Sequence, residues 1–218
     1  MDNEVCPFLD GDNLCHVIKN YGDKSLSKTC KTHPRFKSFF SNRTETGLGL
    51  YCEQAGRIIL SSKPKMKPVL VKDDLKKVKT SAFERKVFAF RKKALLIAQD
   101  RTLTIENRLL LLEQLANIDL KKNSFNKWLE IFSSLDKLSI NDFGFNQIDK
   151  ADNFAPLANG FEREAEQLLS YLIFRHISRA IDLLDLRGRL AFVILSFKMI
   201  NHIFILSKEQ SLEILVEV

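Results

Sequence analysis

The sequence predicts a mainly α-helical protein in which a cysteine-bearing, loop-rich N-terminal module packs on a helical bundle. After residue 80, apolar residues recur at three- and four-residue spacing, which is the period of an amphipathic helix. Before residue 57, closely spaced Gly and Pro residues leave no apolar period longer than about one helical turn. No alternation of strand and helix patterns is present, so a doubly wound α/β domain is not expected.

Composition narrows the class of protein. The chain has 218 residues, is 45% hydrophobic and contains 17 Phe, which excludes a wholly disordered protein. Four cysteines are too few for a disulfide scaffold. All four cysteines lie in the first quarter of the chain, and the remaining sequence contains none. Any role that they share is therefore expected in this N-terminal region.

The net charge of +7 is carried by one segment. Residues 57–101 hold fourteen basic and four acidic residues, whereas residues 1–56 are neutral and residues 102–218 have a charge of −3. Pro64 and Pro68 lie in the basic segment and disfavour a helix there. The predicted division is a cysteine-rich module at 1–62, a basic Pro/Lys linker at 63–80 and an α-helical domain at 81–218.

Local patterns predict individual elements in chain order. Ser81 followed by Glu84 is a capping-box pattern and predicts the start of a helix. Gly188 is interpreted as the break between a long helix and a very apolar one. The other predicted elements are short helices at 12–21 and 52–61, a strand at 69–71, and helices at 104–118, 124–135, 161–186, 190–206 and 207–218, with a looser segment at 136–158.

The sequence favours a cytoplasmic protein. Its first residues are acidic and lack the apolar core of a secretory signal. The apolar stretch 190–206 is interrupted by Lys198, Asn201 and His202, so we interpret it as a buried helix rather than a membrane span. No membrane partner is expected.

The cysteines form the most informative motif. The gaps between Cys6, Cys15 and Cys30 are long enough for loops to bring three thiolates together, as zinc and iron–sulfur sites require. The spacing is not the paired C-x2-C pattern of a zinc site, and the alternative is that these residues pack as small apolar side chains. His33, three residues after Cys30, could replace a thiolate on zinc but is better interpreted as a surface or packing residue.

At these positions the sequence resembles the flagellin lysine-N-methylase family. The resemblance is carried by Cys-Pro-Phe-Leu at 6–9, Leu-Cys at 14–15, Cys-Lys-Thr-His-Pro-Arg at 30–35 and Gly-Leu-Gly-Leu-Tyr-Cys-Glu-Gln-Ala-Gly-Arg at 47–57. Tyr-Leu-Ile-Phe-Arg at 171–175 and the apolar helix after Arg189 also look like the C-terminal helices of that family.

The resemblance implies an S-adenosylmethionine-dependent lysine N-methyltransferase that acts on flagellin and carries a [4Fe–4S] cluster or zinc. It implies metal ligands at Cys6, Cys15, Cys30 and Cys52, and it leaves the catalytic and S-adenosylmethionine-binding residues unassigned. Family members have further cysteines upstream and a further segment downstream. We therefore expect this chain to be truncated at both ends and to be an active or inactive fragment of such an enzyme.

Several charged residues admit a second interpretation. Clustered Lys and Arg in 57–101 can bind phosphates, but a solvated helix face and linker is favoured over nucleic-acid binding. The alternative function is a non-catalytic zinc- or iron–sulfur-stabilised binding module that uses this basic segment. Asp182 and Asp185 are interpreted as a helix-end ion-pair cluster, His176 as a structural or surface residue and His202 as a hydrogen-bonded core histidine.

Overall fold

The computed structural model describes residues 6–12, 14–71, 78–120, 125–133, 153–207 and 210–217, and within them the prediction of a mainly α-helical fold is confirmed. A 3-10 turn at Asp23–Ser25 and one β-hairpin accompany the helices. The helices are α1 His16–Tyr21, α2 Lys28–Thr32, α3 Glu53–Leu60, α4 Ala82–Ala98, α5 Ile105–Ala116, α6 Phe125–Ser133, α7 Glu162–Ile177, α8 Leu183–Leu206 and α9 Leu212–Glu217. Most of the predicted segment 136–158 lies outside the described residues, and the division into three domains stays a prediction.

A two-stranded antiparallel hairpin was not predicted. Strands β1 Arg35–Phe39 and β2 Thr44–Leu48 pair with Phe36 opposite Gly47. The Phe36 ring lies so close to Gly47 that a Cβ atom there would overlap it, so glycine is required by contact rather than by backbone angle. The prediction of a strand at 69–71 was wrong, because these exposed residues pair with no strand in the described parts of the chain.

The predicted capping box at the start of α4 is confirmed, and it also holds the hairpin. The Glu84 backbone N–H donates to the Ser81 hydroxyl at 3.0 Å, and the Ser81 N–H donates to the Glu84 carboxylate at 2.9 Å. The same carboxylate accepts from the hydroxyl of Ser41 at 2.6 Å and from its N–H at 2.7 Å. These bonds from Ser41 are the main reason that the pKa of Glu84 is lowered to about 2.

The core lies where α4, α5, α7 and α8 meet. The largest apolar side chains that are completely buried come mainly from α7 and α8, with contributions from α3 and α5. They are Leu60, Ile105, Leu112, Leu169, Ile173, Ile177, Leu190, Ile194, Phe197, Met199 and Phe204.

The break between the last long helices is earlier than predicted. Helix α7 ends at Ile177, and α8 begins after Asp182, whose carboxylate accepts the N–H of Asp185 at 2.8 Å. Gly188 lies inside α8 on its exposed side, with no side chain or backbone packed against it. The prediction of one helix to 186 failed because exposed Leu184 continued the apolar spacing beyond the end of the buried face.

Helix α8 is the one described helix that has the length and composition of a membrane span. Its mean hydropathy over the most apolar window is 1.7, and half of that window is buried inside the protein. Lys198 on this helix pairs with Glu113 of α5 at 2.6 Å. Helix α9 packs on α3, where Val216 lies against Gly56 and Glu213 pairs with Arg57 at 2.9 Å.

Candidate functional site

Two of the four predicted metal ligands lie in the turn that precedes α1. Cys6 is exposed, and its carbonyl accepts the N–H of Leu9 at 3.2 Å. Cys15 is partly buried, forms a single antiparallel bridge with Leu9 and immediately precedes α1. Extended backbone on both sides of this turn therefore brings the two cysteines into one small loop.

The other two cysteines belong to separate helices. Cys30 is exposed on α2, where its N–H donates to the capping hydroxyl of Ser27 at 3.2 Å. Cys52 is partly buried at the start of α3, and its carbonyl accepts the N–H of Gly56 at 2.9 Å. All four cysteines are free thiols.

The described residues do not assemble these side chains into a metal site. No three His, Cys, Asp or Glu side chains in the described parts of the chain lie close enough together to hold a metal ion. As placed, the cysteines do not fit a zinc ion or an iron–sulfur cluster, so the ligand set Cys6, Cys15, Cys30 and Cys52 stays a prediction. His33 is exposed and lies 5.5 Å from the ring of Tyr51, measured between ring centroids.

The segment that carries three of the cysteines has no core of its own. None of the described residues between 6 and 34 is buried. Its large apolar side chains instead face solvent: Phe8, Leu9, Leu14, Ile18 and Tyr21. A unit of this size generally needs a metal, a disulfide or a partner surface to be stable. The exposed apolar side chains of this segment therefore indicate that a metal, a disulfide or a partner surface stabilises it.

A buried ion pair attaches the hairpin to the helical bundle. Arg91 of α4 is 5% exposed and donates to both carboxylate oxygens of Glu45 in β2, at 2.6 and 2.7 Å. The same guanidinium donates to the hydroxyl of Ser178 at the end of α7. Because a planar guanidinium and a carboxylate match in a two-point contact, this pair fixes the orientation of the hairpin as well as its position.

Aromatic packing supports the same contact between the hairpin and α7. The Phe36 ring lies 6.4 Å from the ring of Tyr171, between centroids, and the Arg175 guanidinium lies 4.0 Å from the Phe36 ring centre. The Leu50 N–H donates to the Tyr171 hydroxyl oxygen at 3.2 Å. Burial raises the pKa of Tyr171, which therefore stays protonated.

A second buried ion pair lies at the corner between α4 and α5. Glu166 of α7 is 2% exposed and accepts from Arg108 of α5 at 3.1 Å. Arg101, in the turn between α4 and α5, donates to both oxygens of Glu166 at 2.9 to 3.2 Å. Arg108 also donates to the carbonyls of Leu103 and Ala98, so its buried guanidinium is well supplied with acceptors.

This ion pair forms the floor of an open polar cleft, which we call the Glu166 cleft. The cleft has a volume of about 530 Å³. It is lined by Arg101, Leu103, Thr104, Ile105, Glu106, Arg108, Leu157, Ala158, Asn159, Glu162, Arg163 and Glu166. Arginine and glutamate side chains around an apolar wall can bind a ligand that carries both a carboxylate and a positive charge, since each charge finds an opposite partner.

The same corner fixes the beginning of the basic linker. The side-chain amide of Gln167 donates to the carbonyls of Ser62 and Pro64 at 2.9 and 2.8 Å. Arg101 donates to the carbonyl of Lys63 between them at 2.9 Å. The linker therefore starts on the wall next to the Glu166 cleft.

The three buried ionic residues were missed in the sequence, although a signal was present. Arg91, Arg108 and Glu166 occupy positions at which the helical period calls for an apolar side chain. Arg91, for example, falls between buried Val87 and Ala94. A charged residue inside an apolar stripe is rarely buried without a partner, so this pattern predicts a buried ion pair.

The secondary interpretations of individual residues are largely confirmed. His202 is 3% exposed, and its Nδ1 accepts the N–H of Ala155 at 2.9 Å. Asp185 pairs with Arg189 at 2.8 Å beside the helix cap formed by Asp182. His176 is half-buried against Phe192, and burial, reinforced by the positive charge of nearby arginines, lowers its pKa to about 4.

Comparison with known proteins gives a short partial likeness. Fifty-six residues, 26% of this chain, are 41% identical to a flagellar biosynthetic protein FliU of Salmonella muenchen, of which they cover 33%. A match of the same length, also 41% identical, is found to lysine-N-methylases of Salmonella typhimurium and Salmonella choleraesuis, and it covers 14% of each of them. The chain thus matches a third or less of the length of these relatives. No family model and no solved structure matches it.

Proposed function

We propose that the chain is part of a protein-lysine N-methyltransferase that transfers methyl groups from S-adenosylmethionine to lysines of flagellin. The observation that carries this proposal is the 41% identity over 56 residues to two proteins named lysine-N-methylase. The likeness to a flagellar biosynthetic protein supports flagellin, or another flagellar protein, as the substrate. A cytoplasmic location agrees with four free thiols, because thiols stay reduced in that compartment.

The Glu166 cleft is our candidate for the methyl-donor site. Its volume of about 530 Å³ is in the range of pockets that hold ligands of this size. Arg101 and Arg163 are each about half exposed at the cleft and suit the carboxylate of the donor's amino-acid end. The exposed carboxylates of Glu106 and Glu162 suit its positively charged groups.

The chemistry requires a neutral lysine amine. S-adenosylmethionine supplies a methyl group activated by a positively charged sulfur. The amine nitrogen forms a bond to the methyl carbon, the carbon–sulfur bond breaks with its electron pair on sulfur, and the nitrogen loses a proton to solvent.

The cysteine side chains enter this proposal only as part of a larger ligand set. Cys6, Cys15, Cys30 and Cys52 would supply thiolates for a [4Fe–4S] cluster or zinc, and for that they would have to come closer together than this structure places them. The absence of a core between residues 6 and 34 supports a stabilising role for that metal.

Isothermal titration of the chain with S-adenosylhomocysteine tests the donor site. Saturable binding is expected for the wild-type protein, and Arg163→Glu should weaken it at least tenfold. Arg35→Glu is a matched control on the exposed face of β1, and it should leave the affinity unchanged within twofold. Binding that is insensitive to Arg163→Glu would move the donor site elsewhere, and absence of binding would contradict the methyltransferase proposal.

A second candidate function has a specific observation in its favour. The basic side chains of residues 63–67 and of the outer side of α4 are exposed. This supports a non-catalytic binding module, stabilised by zinc or an iron–sulfur cluster, that recognises an acidic partner. Titration with S-adenosylhomocysteine distinguishes the two functions, because a binding module alone does not bind this compound.

A further inference from the structure

The exposed face of α4 has an unusual composition. The exposed residues of this helix are four basic and three apolar side chains, and none is acidic: Ala82, Arg85, Lys86, Ala89, Lys92, Lys93 and Leu96. They recur at three- and four-residue spacing and therefore form one stripe along the helix, which we call the α4 basic face. Glu84 is turned away from this stripe, toward Ser41.

The cations of this face form no ion pair with a described residue. Among the described residues, Lys86, Lys92 and Lys93 form no ion pair, and Arg85 donates only to the backbone carbonyl of Thr80. Other cations of this protein, such as Arg57, do form such pairs. A stripe of four uncompensated positive charges favours association with an anionic surface.

Both ends of the linker lie next to this helix. Lys63 is held by Arg101 just beyond the C-terminal end of α4, and Thr80 lies at its N-terminal end. Exposed Lys65, Lys67 and Lys79 therefore extend the positive charge at the two ends of the helix.

The side chains of the α4 basic face indicate which class of anionic partner this face can bind. Single-stranded nucleic acid is generally bound on exposed aromatic rings. The Phe88 ring is instead covered, with the Arg43 guanidinium 3.6 Å from its centre and the Phe40 ring 4.8 Å away. An anionic membrane surface is generally bound through several large apolar side chains, whereas this face offers only Leu96.

The spacing of the cations on this face fits a helical protein partner better than a nucleic acid or a membrane. Lys86 and Lys93 are seven residues apart, which is two helical turns or about 10 Å. Acidic residues at the same spacing on a second helix can pair with them, as charged residues do at the edges of coiled coils. Between the cations, Ala82 and Ala89 present small side chains that allow close approach, and Leu96, 65% exposed, offers an apolar contact.

We propose that the α4 basic face docks an acidic amphipathic helix of a partner protein. Docking involves no methyl transfer, so this proposal stands or fails independently of the enzymatic one. Arg85, Lys86, Lys92 and Lys93 pair with acidic side chains of the partner, and Leu96 contacts an apolar residue of the same partner face.

Fluorescence anisotropy with a synthetic peptide tests the proposal. The probe is a fluorescein-labelled helical peptide with Glu and Leu on one face. A second peptide has the same composition but distributes Glu around the helix. The first peptide should bind at least tenfold more tightly at 50 mM salt. Equal binding of both peptides, or no saturable binding of either, would overturn the proposal.

Charge reversal locates the binding surface. Lys86→Glu with Lys93→Glu should weaken peptide binding at least tenfold. Lys28→Glu with Lys37→Glu makes the same change in net charge at exposed positions of the N-terminal segment and should change it less than twofold. Circular dichroism melting checks that both variants fold. Tighter binding of single-stranded DNA or anionic lipid vesicles than of the peptide, lost in the α4 variant, would assign the face to a different partner class.

Discussion

The carboxylate of Glu166 lies 3.1 Å from the guanidinium of Arg108, and the two residues are 2% and 5% exposed. This pair joins α5 to α7 inside a bundle whose core is mainly apolar. A buried charge is tolerated only while its partner and hydrogen bonds are present. The corner of the bundle is therefore sensitive to a change of either residue.

Replacing Glu166 by Gln should destabilise the protein. The substitution keeps the shape of the side chain and leaves the Arg108 guanidinium buried without its counter-ion, which costs about 3–5 kcal/mol in comparable cases. The free energy of unfolding from urea denaturation measures the effect. Glu162→Gln, an exposed change on the same helix, is the control and should alter stability by about 0.5 kcal/mol or less.

The attachment of the hairpin can be measured with a double-mutant cycle. Arg91→Met and Glu45→Gln should each destabilise the protein, and the double variant should be less destabilised than the sum of the two. A coupling energy of about 1–3 kcal/mol is expected for groups in direct contact. Additive effects, with no change in hydrogen exchange of strand β2, would show that the two side chains do not hold the hairpin.

His176 should make stability depend on pH. Its pKa in the folded protein is about 4, below the ordinary value of 6.5, so the unfolded chain binds an extra proton between these values. The contribution of neutral His176 to the free energy of unfolding is fully present above about pH 6.5 and is lost as the pH falls toward 4. His176→Gln should flatten the pH dependence of the urea midpoint in that window.

Metal binding by the cysteine set can be tested on the protein purified without oxygen. The predicted ligands should hold iron with broad visible absorbance, or stoichiometric zinc without it, and Cys6→Ser or Cys15→Ser should lower the metal content. Thr29→Ala, an exposed change in α2, alters no thiol in the same segment and serves as control. A protein that takes up neither metal would contradict the prediction of ligands at Cys6, Cys15, Cys30 and Cys52.

The helices of the bundle were predictable because their apolar spacing and caps are local signals. Ser81 with Glu84 predicted the start of α4, and the structure adds only the contact with Ser41. The hairpin was not predictable in this way, since it is held by residues distant in the chain, such as Arg91, which is 46 residues away from Glu45. The cleft was missed for the same reason, because it joins α5 to α7.

The most direct test is mass spectrometry of flagellin incubated with this chain and S-adenosylmethionine carrying a deuterated methyl group. Methyltransferase activity predicts lysine residues heavier by one or more labelled methyl groups, with none in reactions that lack the chain. The Salmonella typhimurium lysine-N-methylase is run in parallel for comparison. Unlabelled flagellin in the presence of this chain, under conditions in which that protein labels it, would contradict methyl transfer to flagellin by this chain.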